Sequence, residues 1–387
     1  MLNLTRTETD VNIDFLLGTI LLLTSLLGAL FNTAALCYFR SLVRKNKNGE
    51  FFRRLYMVIN FTDILICFSA FPSIEALFSE SRKGYLLTNP GFCSVWMVYW
   101  WILCQKSVLL VATLSVSRLT ILRNKTIELR PSVAFLVPAI FVVSKVCMFI
   151  VAFSMQFMFT TYVPEYLVCS FIAFKDNLTE PVTTKMLTTI IGTLSAFNFI
   201  TSMCFFLTCA SFIASLYLLH RSAKASTVIN SSTKRHVEAA KTVILVTLLY
   251  LTFNTPIMVV MSTLVSKLLL NPPNTDDLKT GDMIRYFFSE PFGQSSRFAN
   301  QYVIAITNML FVCLNSALNP IALYFRIDGF RNCVWSKIYL IVRRNENRVD
   351  PSLARMDSKT RLTRPHFIHM RTLSTVDGQS KIVKDDD

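Results

Sequence analysis

The hydrophobic residues of this chain are gathered into seven long blocks that are separated by shorter polar segments. Each block holds about 20 or more residues, the length that an α-helix needs to cross a hydrocarbon core of about 30 Å. The blocks lie at 15–39, 55–78, 92–117, 132–159, 187–219, 240–268 and 299–325. The pattern predicts an all-α membrane protein with a seven-transmembrane-helix bundle.

Charge then orients the predicted bundle. The chain is 52% hydrophobic and only 16% charged, yet it carries a net charge of +15. If the helices alternate in direction, 28 of the 39 Lys and Arg residues fall on one side, in 40–54, 118–131, 221–241 and 326–387. This bias places the N-terminus outside and the C-terminus in the cytosol. Topology and attraction to anionic membrane lipids explain the basic excess, so no nucleic-acid partner is expected.

The same pattern divides the chain into four parts. Residues 1–14 form an extracellular tail, and residues 15–325 form the transmembrane domain. Residues 326–343 read as an amphipathic helix that lies along the membrane surface, with Cys333 placed for palmitoylation. Residues 344–387 are polar, charged and rich in Ser and Thr, which predicts a disordered cytosolic tail.

The cysteines and glycosylation sequons agree with this topology. Of the ten cysteines, only Cys93 and Cys169 fall on the oxidising, extracellular side. They are therefore predicted to form a disulfide between the start of the third span and the loop after the fourth. Asn3 and Asn177 head glycosylation sequons on the same side.

Polar residues inside the apolar blocks indicate that the helices enclose a polar interior. A carboxylate such as that of Asp63 costs about 2.5–3.5 kcal/mol at the centre of a span, so it must face polar partners. The last span contains the run Leu314–Pro320, with two asparagines and a proline that bends the helix.

That run resembles the seventh-helix motif of rhodopsin-like (class A) G-protein-coupled receptors. The resemblance extends over about 15–343 and rests on residues that occur in the family's order: Asn32, Asp63, Cys93, Arg118 exactly 25 residues after Cys93, Tyr217, Pro256 and Asn319-Pro320. The chain looks like a divergent, orphan-type member with features similar to those of peptide receptors.

The resemblance implies a sodium-binding pocket that stabilises the inactive state. Family alignment places around Asp63 the polar residues Ser107, Asn315, Ser316 and Asn319. Oxygen ligands suit a hard cation. A hydrogen-bonded core without an ion is the alternative. Either of two intramembrane lysines, Lys106 or Lys145, would replace the sodium if its ammonium group reached Asp63.

The resemblance also implies switch residues for coupling to a G-protein, namely Arg118, Tyr217, Pro256 and Pro320. In the family, the arginine meets the C-terminal helix of the G-protein when the bundle opens. Here Ser117 replaces the usual acidic neighbour and Leu323 replaces the usual tyrosine, with Tyr324 one residue late. We therefore expect a weakly restrained arginine and raised basal activity. The alternative is that Arg118 is only a basic residue beside a loop.

The expected ligand pocket is apolar. Trp100 stands where amine receptors carry an aspartate, so an amine ligand is disfavoured. Asn254 replaces the tryptophan at the pocket floor. The implied lining is Trp100, Cys104, Asn254, Ile257, Met258, Met261 and Met309. It suits a peptide side chain or a lipid-like ligand. Alternatively, these side chains only pack the helices. The alternating segment 166–174 predicts a hairpin strand over the pocket, which tilts the expectation towards a peptide.

The sequence thus predicts a plasma-membrane receptor that binds an extracellular ligand and activates a heterotrimeric G-protein. The Ser and Thr residues of the tail suit a receptor kinase and arrestin. The chain lacks the motifs of nucleotide-binding, zinc-hydrolase or other catalytic sites, so neither an enzymatic activity nor a cofactor besides sodium is expected. The alternatives are a non-signalling or arrestin-biased receptor and, with no internal repeat in support, a transporter or channel.

Overall fold

The fold is described from a computed structural model. It describes residues 8–45, 50–79, 84–123, 132–134, 136–140, 142–143, 146, 161–163, 168–170, 184–225, 231–270, 301–336 and 339. The helices are α1 (Glu8–Lys45), α2 (Glu50–Ser69), α3 (Phe71–Phe78), α4 (Tyr85–Thr88), α5 (Pro90–Arg123), α6 (Thr184–Ala225), α7 (Ser231–Leu270) and α8 (Gln301–Arg326).

Five segments of the described chain are helical, long and apolar enough to cross a membrane. They are Val11–Val43, Glu50–Phe78, Gly91–Thr120, Asn198–Arg221 and Ile306–Arg326, which match the first, second, third, fifth and seventh predicted spans. Helix α7 covers the sixth predicted span and contains Pro256. The fourth predicted span lies largely outside the described residues, although those described between 133 and 146 are helical.

Helix α5 lies at the centre of the bundle, where it contacts α2, α6 and α7. Helix α1 packs against α2 and α8, and α8 also contacts α2 and α7. Large apolar side chains such as Phe15, Leu30 and Phe206 are exposed, whereas many polar side chains are buried. This reversal of the usual soluble pattern is expected of helices whose outer faces contact lipid.

The end of the second span that carries α3 is folded by local polar contacts. Helix α2 ends at Ser69, and α3 begins at Phe71 after the single residue Ala70, with Pro72 in its first turn, where a proline is tolerated. The carboxylate of Glu75 then accepts hydrogen bonds from the backbone N–H groups of Tyr85 and Leu86 at 2.7 and 3.2 Å, which satisfies free donors at the start of α4. These bonds hold α4 against the end of the span.

Two short strands, β1 (Thr161–Val163) and β2 (Val168–Ser170), form an antiparallel pair in which Tyr162 lies opposite Cys169. The strand predicted around Cys169 is confirmed over these three residues. Both strands contact α5, and β1 also contacts α4. The described chain is therefore almost entirely α-helical, with this one strand pair beside α4 and α5.

The chain divides into two compact units, Met1–Arg331 and Asn332–Asp387. In the first unit, Phe330 is fully buried and packs against the rings of Tyr38 and Tyr324, with centroids 5.2 and 6.3 Å away. In the second unit, residues 332–336 are helical and Cys333 is half-buried. Of the segment predicted as an amphipathic helix at 326–343, residues 328–336 and 339 are helical and Ile327 separates them from α8, whereas the predicted tail at 344–387 lies outside the described residues.

Candidate functional site

The buried carboxylate of Asp63 joins α2 to α8 in the middle of the bundle. Its side chain is 1% exposed. Ser316 Oγ donates to one carboxylate oxygen at 3.1 Å, and Asn319 Nδ2 donates to the other at 3.0 Å. Both donors come from the run that interrupts the last apolar block. The structure therefore brings together three of the five residues that the sequence assigned to the polar core.

A second amide extends this polar core to α1. Asn32 is fully buried, and its Nδ2 donates to the carbonyl oxygens of Gly28 and Ser316, each at 2.8 Å. Gly28 permits this approach, because a Cβ built there would lie 2.7 Å from the Cys67 sulfur and 3.2 Å from the Ala317 Cβ. Three helices thus converge beside Asp63, at a position where any side chain would collide.

Several buried oxygen atoms in this region accept no hydrogen bond from the described residues. They are the Oδ1 atoms of Asn32, Asn60, Asn315 and Asn319. Ser107, on the facing helix α5, is also buried. Buried polar atoms normally have a partner, and water or a cation would provide one. A donor set of one carboxylate, amide oxygens and hydroxyl groups fits a hard cation such as sodium.

The described contacts do not place a lysine beside Asp63. Within the described part of the chain, the Asp63 carboxylate accepts hydrogen bonds from Ser316 and Asn319 and forms no ion pair with Lys106, which is half-buried on α5. The side chain of Lys145 lies outside the described residues. The ammonium group of Lys106 therefore does not take the place predicted for sodium at Asp63.

The arginine predicted to couple to a G-protein is buried near the end of α5. Arg118 is 6% exposed, and its guanidinium group lies over the ring of Phe52 of α2, 5.6 Å from the ring centroid. A cation over an aromatic face is attracted by the negative charge of the ring face. The neighbouring Ser117 is also buried. An aromatic contact thus restrains Arg118 where the family uses an acid, a feature that the sequence analysis missed.

The other predicted switch residues are not gathered around Arg118. Tyr217 of α6 is 63% exposed, whereas Ser211 and Ser215 of that helix are buried. Pro256 and Pro320 lie inside α7 and α8 as expected. Leu323 is buried.

Tyr324 lies one position after Leu323. Its ring contacts Phe325 and Phe330, with centroids 5.5 and 6.3 Å away. Tyr324 therefore packs on Phe330, which follows the end of α8, and does not take the place of the motif's missing tyrosine.

An apolar cluster lies between the helices in the half of the bundle where α3 and α4 pack. It contains Met309 and Leu103, and Trp100 and Cys104 pack against it. Three of the predicted pocket residues therefore share one cluster.

Trp96 belongs to the same cluster, and its indole is stacked on that of Trp100, with centroids 6.5 Å apart. Its Nε1 donates a 2.8 Å hydrogen bond to the carbonyl oxygen of Ser69. This bond ties α5 to the end of α2, and no local sequence signal identifies it.

Of the remaining residues predicted to line the pocket, two have described side chains and two do not. Asn254 and Met258 are buried on α7, and Asn254 Nδ2 donates to the Tyr250 carbonyl oxygen of its own helix at 3.0 Å. The side chains of Ile257 and Met261 lie outside the described residues. The same holds for both predicted glycosylation sites, Asn3 and Asn177.

The predicted disulfide is described on one side. Cys93 is buried and disulfide-bonded. Strand β2, which contains Cys169, contacts the helix that carries Cys93. The side chain of Cys169 lies outside the described residues, so the pairing of the two cysteines stays a prediction.

Comparison with known proteins finds a match in structure alone. No family model matches the chain, and no curated protein matches its sequence. The crystal structure of squid rhodopsin superposes with a TM-score of 0.56 at 15% sequence identity, over 92% of this chain and 93% of rhodopsin. At this identity the likeness concerns the fold. The chain is therefore a multi-pass helical membrane protein with the fold of a rhodopsin-like G-protein-coupled receptor.

Proposed function

We propose that this chain is a receptor of the plasma membrane, with its N-terminus outside, that activates a heterotrimeric G-protein when an extracellular ligand binds. The observation that carries the proposal is the position of Arg118. It is a buried arginine at the end of the central helix that the charge bias assigns to the cytosol. A bundle that opens at this end would expose a fixed cation to a partner, and a ligand that binds the open form more tightly would favour that form.

The polar core supports a switching role. Asp63, Ser316 and Asn319 link α2 to α8 through hydrogen bonds between buried groups. We propose that sodium binds to Asp63 together with Asn315 and Ser107 in the closed form. Movement of α8 would separate the two sets of ligands and release the ion. Sodium would then oppose activation, because it would bind only one of the two states.

For the ligand, we propose a peptide, with a lipid-like molecule as the second choice. The aromatic and thiol side chains of Trp100 and Cys104 pack against the apolar cluster, and Trp100 puts no carboxylate at the position that an amine would need. Methionines such as Met309 adapt to varied apolar groups. A peptide side chain would enter this apolar site while the hairpin near Cys169 contacts its backbone.

The test is ligand-independent signalling across a panel of G-proteins in cells. We expect basal activity in at least one channel and its loss in Arg118→Ala at matched surface expression. The matched control is Arg40→Ala, because Arg40 is an exposed arginine on α1 whose removal leaves the central helix intact. Equal loss in both variants, or no loss in Arg118→Ala, would contradict the assigned role.

A second candidate function is a receptor that binds its ligand without activating a G-protein, or that signals only through arrestin. The buried side chain of Leu323 favours this alternative, because it has no hydroxyl group with which to form the hydrogen bonds of the tyrosine it replaces. Tyr324 cannot supply them while it packs on Phe330. Arrestin recruitment without signalling in any G-protein channel would identify this class.

Three covalent modifications complete the proposal. We propose that a receptor kinase phosphorylates its Ser and Thr residues and that arrestin binds the phosphates. Palmitoylation of Cys333 would add a lipid anchor, and glycosylation of Asn3 and Asn177 would mark the extracellular side. Mass spectrometry of the purified protein would detect all three modifications.

A further inference from the structure

Two buried hydroxyl groups join α5 to α7 one helical turn from Arg118. Ser115 Oγ and Thr247 Oγ1 lie 3.0 Å apart, and either can be the donor. Their side chains are 3% and 1% exposed. The sequence gives no sign of this pair, because serine and threonine are common in membrane helices and the two residues are 132 positions apart.

The pair departs from what such hydroxyl groups do elsewhere in the bundle. Thr113 and Thr120 of α5 donate to the carbonyl oxygens of Leu109 and Val116 in their own helix. Thr252 of α7 does the same with Leu248. A hydroxyl group in a membrane helix has this local option available. Ser115 and Thr247 bond each other across the helix interface, so their bond depends on the distance between α5 and α7.

Arg118 lies one turn further along α5, about 60° around the helix from Ser115, and its guanidinium group reaches the ring of Phe52 of α2. Its neighbour Ser117 is uncharged. The hydrogen bond between Ser115 and Thr247 can form only while α7 lies close to α5. Apolar residues Val111, Leu114 and Val246 of the same two helices are also buried.

We propose that Ser115 and Thr247 form a neutral latch that holds α7 closed against α5 in the resting state. This inference rests on the proposed function and names a contact that regulates it. Because each hydroxyl group can turn back to a carbonyl oxygen of its own helix, opening exchanges one neutral hydrogen bond between helices for local ones, so the latch is weak and leaves no stranded polar group when it opens. Losing the latch should raise the ratio of open to closed receptor by roughly two- to tenfold.

The test removes one hydroxyl group while keeping the side chain's shape. Thr247→Val should raise basal signalling and should speed amide hydrogen exchange in the 240–250 segment of α7, by roughly two- to tenfold in each case. Thr247→Ser keeps the hydroxyl group and should behave like the native protein. Thr252→Val is the matched control, since it removes a hydroxyl group that bonds only within α7.

A double variant identifies the partner. If the two residues act through one contact, Ser115→Ala combined with Thr247→Val should have no larger effect than the stronger single variant. Additive effects would overturn the latch. So would unchanged exchange in Thr247→Val, or equal acceleration in Thr252→Val.

Hydrogen exchange also separates this inference from the proposed function. Faster exchange in Thr247→Val without signalling in any channel would support the latch and contradict G-protein activation. Basal signalling that depends on Arg118, with exchange and signalling unchanged in Thr247→Val, would support the receptor and overturn the latch.

Discussion

Replacing Asp63 by asparagine tests the polar core with almost no change in shape. The carboxylate now accepts one hydrogen bond from Ser316 and one from Asn319. An asparagine offers a single acceptor oxygen, and its NH₂ group would face one of these two donors. Each bond to a charged group contributes about 1.5–3 kcal/mol, against about 0.5–1.5 kcal/mol for a neutral bond. The substitution therefore weakens one bond and loses the other.

An opposing effect of similar size acts on the free energy of unfolding, so total stability is not the quantity to measure for this substitution. Burying the carboxylate in the span costs about 2.5–3.5 kcal/mol on insertion scales, and asparagine avoids much of that cost. The sign of the net change in unfolding free energy is therefore set by a small difference. The dependence on sodium has no such ambiguity, since a neutral amide cannot balance the charge of the ion.

The assay is thermal unfolding of the purified receptor in sodium chloride or choline chloride at equal ionic strength. At ten times its dissociation constant, sodium that binds only the folded protein adds about 1.4 kcal/mol. This corresponds to a rise of roughly 2–5 °C in Tm on the scale of soluble domains. We expect the rise in the native protein and its loss in Asp63→Asn. Asp328→Asn is the control, because Asp328 is exposed and pairs with Arg331 at the surface.

Two results would refute this reasoning in different ways. A sodium effect that survives in Asp63→Asn would place the ion elsewhere. No difference between sodium and choline in the native protein would leave a hydrogen-bonded polar core without an ion. In that second case water would have to satisfy the amide oxygens that accept no bond from the described residues.

Three further predictions concern stability and assembly. Gly28→Ala should destabilise the protein by about 1–3 kcal/mol through overpacking, measured by thermal unfolding, whereas Gly192→Ala should not, because a Cβ at Gly192 meets nothing within 4 Å. Cys93→Ser should abolish surface expression, measured by antibody staining of intact cells; normal surface levels would show that the disulfide is dispensable. Trp96→Phe should lower stability by about 1–3 kcal/mol, since it leaves the buried Ser69 carbonyl oxygen without its donor; an unchanged Tm would mean that this bond contributes little.

The fold and the polar core could be predicted from the sequence because the membrane makes polar residues conspicuous. Asp63 and the amides near Pro320 each require a partner, and the apolar blocks offer few candidates. The resemblance to the rhodopsin-like family then placed these amides around Asp63 before any geometry was known. The strand near Cys169 was located by the alternation of its residues, which differs from the continuous apolar runs around it.

The contacts of common residue types could not be predicted in this way. Ser115, Thr247 and Trp96 break no rule of the apolar pattern, so only the distance between helices reveals that they bond across an interface. Leu323 and Tyr324 show the converse. The sequence identified the departure from the family motif, but the structure was needed to show that the displaced tyrosine packs on Phe330.

Successive residues of a helix lie about 100° apart, and this angle decides which neighbouring helix a side chain can reach. Tyr324 is turned towards Phe330, while Leu323, one residue earlier, is buried. On α5, Ser115 and Arg118 are only about 60° apart around the helix and one turn apart along it, and the long side chain of Arg118 reaches Phe52 of α2 while the short hydroxyl group of Ser115 contacts Thr247 of α7. If Ser115 and Thr247 form the proposed latch, a ligand that moves α7 away from α5 would break their hydrogen bond, because that bond requires the two helices to be close together.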